Sequence, residues 1–474
     1  MTGEIVPTGE RAPTRVTSHD WTSDALDASK EPWDLVVIGG GTAGIVAAKT
    51  AARAGADVVL IERGRPGGGC LWTGCVPSKT LLSAAHGVAG RGGLADLSDV
   101  MQRVRDAIVE IEPLDSPDAM RAEGVTMVHG PARFLGPRAI DVDGRQLTFR
   151  AAIIATGSAP TMLDLDVLAG ATVVTSDSVW DLDQLPARLL VIGGGAIGCE
   201  LGQAFSRLGS AVTIAEAGPR LLPQEAPDAA AVVADVLVAD GITVLTDAAV
   251  DRDLVSAADV VLVAVGRTSR IGDLDLAEAD VEVTDRGHVA VDDRLCTSNR
   301  RIWAAGDVTG HPSFTHVAGV HGALAATNAV LGLRRKIDLS AVPHVVFTQP
   351  EIASVGKDRA ADASQRERTV QHAEVDRAVA ESEPAGFSRL VLNRRGKVVG
   401  GCIVGPRAGE SLAEVTLAVQ HGLKARHIAA AIHPYPTYGD GIWNAARAQV
   451  REDLTKPWLQ RITSLLLRWR RRRR

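Results

Sequence analysis

The chain has 474 residues, 46% of them hydrophobic and 23% charged, with a formal net charge of −6. That length exceeds what one hydrophobic core can serve and predicts two to four domains, while the negative balance argues against bulk attraction to nucleic acid. Five cysteines are too few to staple so long a chain, residues Met1 to Lys30 lack a signal-peptide-like apolar run, and no stretch has the apolar length of a membrane-spanning helix. A cytoplasmic protein is therefore expected.

In chain order, the first predicted element is a buried strand from Asp34 into Gly39, then a glycine turn (Gly39, Gly41, Gly44), an alanine-rich helix over Ile45–Ala54, and a strand from Asp57 ending on Glu62. The same succession returns from Leu189, with Gly193, Gly195 and Gly198, a helix through Arg207, and a strand from Ala211 ending on Glu216. First glycine and acid are 23 residues apart in both units. A lone GxGxxG is a weak signal, but two copies, each following a strand, opening a helix and carrying the acid, predict two dinucleotide sites. In such a unit the first glycine makes the turn, the second lets backbone approach a pyrophosphate, and the third packs helix on strand. Glu62 and Glu216 would then accept hydrogen bonds from ribose hydroxyls.

Further strands are expected at Ala151–Gly157, Val260–Gly266 and Ile302–Gly306. From about Val342 the pattern changes to strands at Val345–Phe347, Leu390–Leu392 and Val398–Val404 with helices at Ser411–His421 and Ala425–Ile432, which suggests a separate α+β domain.

Between the first acid and the next helix stands Cys70-Leu-Trp-Thr-Gly-Cys75-Val-Pro-Ser-Lys79. The gap is wider than Cys-x-x-Cys, and no other Cys or His cluster has zinc-ligand spacing, so no metal site is predicted. Both cysteines are expected to open a helix running on through Lys79 to Ala85, where the helix dipole favours a thiolate.

At these residues the chain resembles the pyridine nucleotide–disulfide oxidoreductase family, which includes lipoamide dehydrogenase, glutathione reductase and mercuric reductase. The resemblance runs from about Trp33 to about Val450 and includes the Cys-x4-Cys-Val-Pro-Ser-Lys box, Ala155-Thr156-Gly157-Ser158, Val265-Gly266-Arg267, Ala305-Gly306-Asp307, and the segment Phe347 to Gly356. It implies an α/β fold of two Rossmann-like dinucleotide-binding domains plus a C-terminal α+β dimerisation domain, in a homodimer. The implied boundaries are a polar extension 1–30, an FAD domain over 31–160 and 281–340, an NAD(P) domain over 161–280, a dimerisation domain over 341–455, and a basic tail 456–474.

By the same resemblance, the first module takes FAD and the second NAD(H), with NADP(H) the alternative. Cys75 would be the flavin-side sulfur and Cys70 the one that meets substrate. Lys79 would sit by the flavin and pair with Glu200. Asp307 would bond the ribityl or phosphate region, and Ala132, Thr156, Gly157, Gly266, Arg267, Gly306, His316 and Ala318 would complete the cofactor contacts. Glu216 favours the ribose diol of NADH over a 2′-phosphate, a preference that nearby Arg220 would soften.

The family's disulfide reducers carry His-x-His-Pro-Thr-x-x-Glu near the end, with the second histidine as base. Here the stretch is His433-Pro-Tyr435-Pro-Thr437-Tyr-Gly-Asp440, which puts Tyr435 at the base position and Asp440 at the acid. A phenol with pKa ~10 is no proton shuttle at neutral pH. Mercuric reductase also resembles this segment, but its C-terminal cysteine pair has no counterpart after Cys402. The expected enzyme is therefore an FAD-dependent NAD(P)H oxidoreductase that passes hydride through flavin to Cys70–Cys75 and on to a small-molecule or metal-ion acceptor. The alternatives are a lipoamide-dehydrogenase-type reductase with an altered base, a quinone reductase, or a flavin-based redox sensor on a membrane surface.

Last in the chain, Trp458, Leu459, Ile462, Leu465, Leu466 and Trp469 recur at helical spacing before Arg470 to Arg474. This segment is expected either to lie weakly on an anionic membrane surface, on the inner face, or to stay solvated. Stacking residues are too few to favour nucleic acid.

Overall fold

The computed structural model describes residues 21–26, 31–89, 96–163, 166–362 and 364–472. Most of the predicted polar extension 1–30, and the last two arginines, lie outside them. The described residues form two compact units, one built from 21–217 and 247–337, the other from 218–246 and 338–472.

In the first unit, strand β1 (Trp33–Ile38) enters helix α1 (Thr42–Arg53), and the chain returns as β2 (Val58–Glu62). β1 pairs in parallel with β2 on one side, Leu35 opposite Val58, and with the strand 145–154 on the other, Leu35 opposite Ala151. The strand 125–129 extends the sheet beyond β2, and Ile302–Ala304 pairs in parallel with 145–154. Buried on both faces, β1 needs no polar alternation, and Leu35, Val36 and Val37 are fully covered. The second copy repeats this as β3 (Arg188–Ile192), α4 (Ala196–Leu208) and β4 (Ala211–Ala215), with β3 paired in parallel to β4 and to 260–263. Helices α2 (Gly68–Trp72) and α3 (Cys75–Ala89) lie between the copies, and α5 (Thr315–Leu331) follows them.

The predicted continuous helix over both cysteines is thus two helices. Residues 73 and 74 break it, because the backbone doubles back until a Cβ on Gly74 would lie 2.7 Å from the Gly69 carbonyl oxygen. Cys70 ends up within α2, and Cys75 alone opens α3.

The second unit is α+β, an antiparallel sheet in the order 343–346, 351–356, 398–405, 387–393, 365–371. Helices 408–420, 425–430 and 440–454 share its core, in which Leu390, Leu392, Leu412, Ile442 and Tyr438 are buried. The strands 351–356 and 365–371 were not among those expected. The second, Gln-Arg-Glu-Arg-Thr-Val-Gln, is an edge strand with one buried residue, Val370, so it lacks the apolar alternation that marks a strand. Helix α6 (Pro457–Arg471) closes the described chain, with none of its residues buried.

Candidate functional site

The two glycine turns show the same division of labour. Gly39 and Gly193 have φ of +105° and +108°, where L side chains are strained. At Gly44 a Cβ would fall 1.8 Å from the Gly39 carbonyl oxygen, and at Gly198 2.0 Å from that of Gly193, so helix and turn meet only because neither carries a side chain. The middle glycines differ. A Cβ at Gly41 would meet only Gly68 Cα, at 3.8 Å, and one at Gly195 would meet nothing within 4 Å.

Gly41 and Gly195 are also the N-caps of α1 and α4, where no side chain caps the first N–H groups. An open cradle in front of uncapped helix N–H groups suits a pyrophosphate. Glu62 and Glu216 stand at the strand ends, and each holds its own turn: Gly40 N donates to Glu62 Oε2 at 2.5 Å and Gly194 N to Glu216 Oε2 at 2.7 Å. Near the first cradle, the Thr156 hydroxyl is buried with no hydrogen-bond partner among the described residues. Such an orphaned group fits a bound cofactor.

Around it, Arg267 Nε donates to Ser158 Oγ at 2.9 Å, and Ser158 Oγ donates to Asp307 Oδ2 at 2.7 Å. Gly157 and Gly266 flank this network with positive φ. Gly306 N donates to Nδ1 of His321 at 3.3 Å, and burial pushes His321 down to about 4, so it stays a neutral acceptor. His316 is exposed and stacks on Phe314, 5.3 Å between centroids, while Ala318 is buried beside Gly306. Ala132, also buried, begins the strand 132–136.

Both thiols of the Cys70–Cys75 pair are free, Cys70 half-buried and Cys75 exposed. Cys75 is held down to about 6, first by a hydrogen bond from the Cys70 thiol, then by one from Thr315 and by the charge of Lys79. The same hydrogen bond, with burial, pushes Cys70 far above the ordinary thiol range. Thr315 Oγ1 lies 3.3 Å from Cys75 Sγ. One turn along α3, Lys79 Nζ donates to Glu200 Oε2 of α4 at 2.9 Å, with Glu200 buried. The pair thus favours a thiolate on Cys75 and a proton on Cys70.

Thr315→Val removes one of the groups holding Cys75 down. The midpoint for alkylation of reduced Cys75 is expected to rise from about 6 toward the ordinary thiol range, so reactivity falls most just above pH 6. Rate-versus-pH labelling with iodoacetamide checks this, and an unmoved midpoint would count against the contact.

In the second unit, the Tyr435 hydroxyl donates to Asp376 rather than to Asp440, and the carboxylate pushes the phenol above its ordinary range. Asp440 is buried at the start of the helix 440–454, where its Oδ2 accepts from Thr437 N at 3.0 Å. His433 is engaged at both nitrogens, Nδ1 on the Ala431 carbonyl at 3.1 Å and Nε2 on the Glu414 carboxylate at 3.0 Å. Both ring nitrogens are thus already engaged by protein groups.

Thr315, Asp177, His321 and Asp376 were not singled out from the sequence. Asp177 accepts from Thr73 Oγ1 at 3.3 Å and from Arg267 and Arg270 at 3.4 and 3.3 Å. These contacts span from 15 residues for Gly306–His321 to 240 for Cys75–Thr315, and none belongs to a local motif. Among the described residues, no three His, Cys, Asp or Glu side chains group as a metal site, and no helix is long and apolar enough to cross a membrane.

Paired dinucleotide folds around a thiolate–thiol couple define a class, and sequence comparison names it. Residues 33–322 match the model of the pyridine nucleotide-disulphide oxidoreductase family, and residues 342–446 match its dimerisation domain. The chain belongs to this family of oxidoreductases, flavoproteins that work with FAD and a pyridine nucleotide. It is 36% identical over 454 residues to a mercuric reductase of Streptomyces lividans, covering 88% of this chain and 96% of the relative. It is 34% identical over 452 residues to a dihydrolipoyl dehydrogenase of Geobacillus stearothermophilus, covering 87% and 95%. A solved structure, the Cu(II) complex of the HOCl-induced flavoprotein disulfide reductase RclA from Escherichia coli, superposes with a TM-score of 0.79 at 26% identity, over 88% of this chain and 99% of that one.

Proposed function

We propose that the chain is an NADH-dependent flavoprotein reductase of the mercuric-reductase-like type, acting through Cys70 and Cys75 as a homodimer on a thiophilic metal ion. The observation that carries this reading is the Tyr435 hydroxyl, tied to Asp376 at the position where the family's disulfide reducers carry their base. To attack a disulfide substrate, Cys70 must lose a proton that its surroundings hold tightly. Neither Tyr435, a phenol pushed further from ionisation, nor His433, with both nitrogens already engaged by Ala431 and Glu414, is placed to take it. A soft cation needs no such base: it displaces the thiol proton as it binds sulfur.

The residues that would hold FAD are Gly39, Gly41, Gly44, Glu62, Ala132, Thr156, Gly157, Gly306, Asp307, His316 and Ala318. Those for the nicotinamide dinucleotide are Gly193, Gly195, Gly198, Glu216, Gly266 and Arg267. This assignment keeps the split of an FAD domain over 31–160 and 281–340 around an NAD(P) domain over 161–280, before a dimerisation domain over 341–455. Bound FAD supplies two-electron transfer from nicotinamide to the protein disulfide. Cys75 is the sulfur poised as thiolate, and Cys70 faces the acceptor. Lys79, paired with Glu200, sets a positive charge beside Cys75.

NADH is favoured because Glu216 repels a 2′-phosphate. Arg220 is unsuited to binding one, since its guanidinium donates to the carbonyls of Leu221, Leu222, Pro223 and Glu225. The test is a panel of acceptors under NADH and under NADPH. Lipoamide and glutathione disulfide are expected to turn over about 10²–10⁴-fold more slowly than in a relative with the base histidine, while Hg(II) or Cu(II) supports NADH oxidation. Rapid turnover of either disulfide would overturn the reading.

A further inference from the structure

Helix α6 lies beyond the matched dimerisation domain, which ends at residue 446. On a helix of 3.6 residues per turn, Trp458, Leu459, Ile462, Leu465, Leu466 and Trp469 fall within one arc of about 120°. Arg461, Arg468 and Arg471 lie outside that arc. The apolar face is in solvent: Trp458 is 60% exposed, Leu465 64% and Leu466 59%. From Pro457 onward the chain has seven arginines and no acid, which leaves −13 for all the rest. An exposed apolar stripe edged by cations, on a body of opposite sign, is a costly surface in water.

We propose that α6 docks this protein on an anionic lipid surface, with the apolar arc in the headgroup–acyl boundary and the arginines on the phosphates. Charge complementarity selects this occupant. Two copies of α6 packed on each other would set like charges face to face with no acid to pair them, whereas an anionic leaflet supplies both a boundary for the tryptophans and counter-charge for the guanidinium groups. The stripe is too short for stable anchoring by apolar contact alone, so binding depends on the arginines, each adding about fivefold to the partition coefficient. The proposal is independent of which acceptor the thiols serve.

Flotation of the full-chain flavoprotein with vesicles tests it, comparing equimolar phosphatidylglycerol and phosphatidylcholine with phosphatidylcholine alone. The protein is expected to float with the anionic vesicles, remain behind with the neutral ones, and be released by raising salt. Combined Arg468→Gln, Arg470→Gln and Arg471→Gln should lower partition about a hundredfold. Leu465→Ser with Leu466→Ser should abolish it with every charge in place. Vesicle-free NADH oxidation should be unchanged in both variants. If a variant misfolds, the blue shift of tryptophan emission when wild-type protein meets anionic vesicles gives the same answer. Equal binding to neutral vesicles, no binding to anionic ones, or vesicle binding unmoved by the glutamines would overturn the proposal. So would variants that change only the oligomeric mass, or only retention on RNA, because the occupant would then be a second copy or a nucleic acid.

Discussion

Cys75→Ser is expected to lower turnover with any acceptor served by the thiol pair by about a thousandfold or more, because the chain loses its only thiolate there at neutral pH. The reduced protein should also lose its alkylation step with a midpoint near pH 6, and the long-wavelength thiolate–flavin absorbance expected of the reduced holoprotein should disappear. Cys70→Ala should behave differently. It removes the largest of the hydrogen bonds holding Cys75 down, so the thiolate survives but its midpoint rises. Above the old midpoint the remaining thiol is then less ionised than in the wild type; well below it both proteins are protonated. Labelling the two variants across pH separates the roles. A midpoint near 6 that persists in Cys75→Ser and vanishes in Cys70→Ala would reverse the assignment.

The second large effect comes from one methyl group placed at two glycines three residues apart. Gly198→Ala sets a Cβ 2.0 Å from the Gly193 carbonyl oxygen, and the helix must move off its strand. A cost of about 3 kcal/mol is expected from such overpacking, or about 6–12 °C in melting temperature for a domain of this size. Gly195→Ala sets the same methyl where nothing lies within 4 Å, on a backbone at φ −75° that alanine adopts freely. Melting should be unchanged, yet KM for the nicotinamide dinucleotide should rise about tenfold or more, because the methyl occupies the place of the approaching pyrophosphate. If both variants melted alike, or if Gly195→Ala bound nucleotide normally, the middle glycine would not be a ligand cradle.

Much of the first unit is legible in the sequence because its signals are local. A buried apolar run, a glycine turn and an acid at fixed distance state a complete βαβ unit within about 30 residues. The helix break between the cysteines was not legible, since a Thr-Gly step is tolerated within many helices and only the close approach to Gly69 makes it a corner. The second unit was read in outline, with the strands 351–356 and 365–371 and the helix 440–454 missing. The edge strand is polar because one side of it faces water, so it carries little periodicity. The site was read through its cysteines, Lys79 and Glu200, but Thr315 and Asp376 were not. Each is an ordinary polar residue whose importance arises from a partner far away in the chain. The substitution of tyrosine at position 435 was visible, but the carboxylate that fixes it there was not.

The bond from Gly194 to Glu216 has a consequence for how this enzyme could change its coenzyme. On the proposed assignment the carboxylate at the end of β4 would discriminate against a 2′-phosphate, and it also accepts the N–H of the glycine turn at 2.7 Å. A replacement such as Glu216→Ala would remove the repulsion and at the same time release a partly buried N–H, at a cost of about 1–3 kcal/mol. On that assignment, selectivity and fold are bound into one side chain. A lineage moving from one coenzyme to the other could not do so by a single neutral step, and would first need a compensating change in the turn.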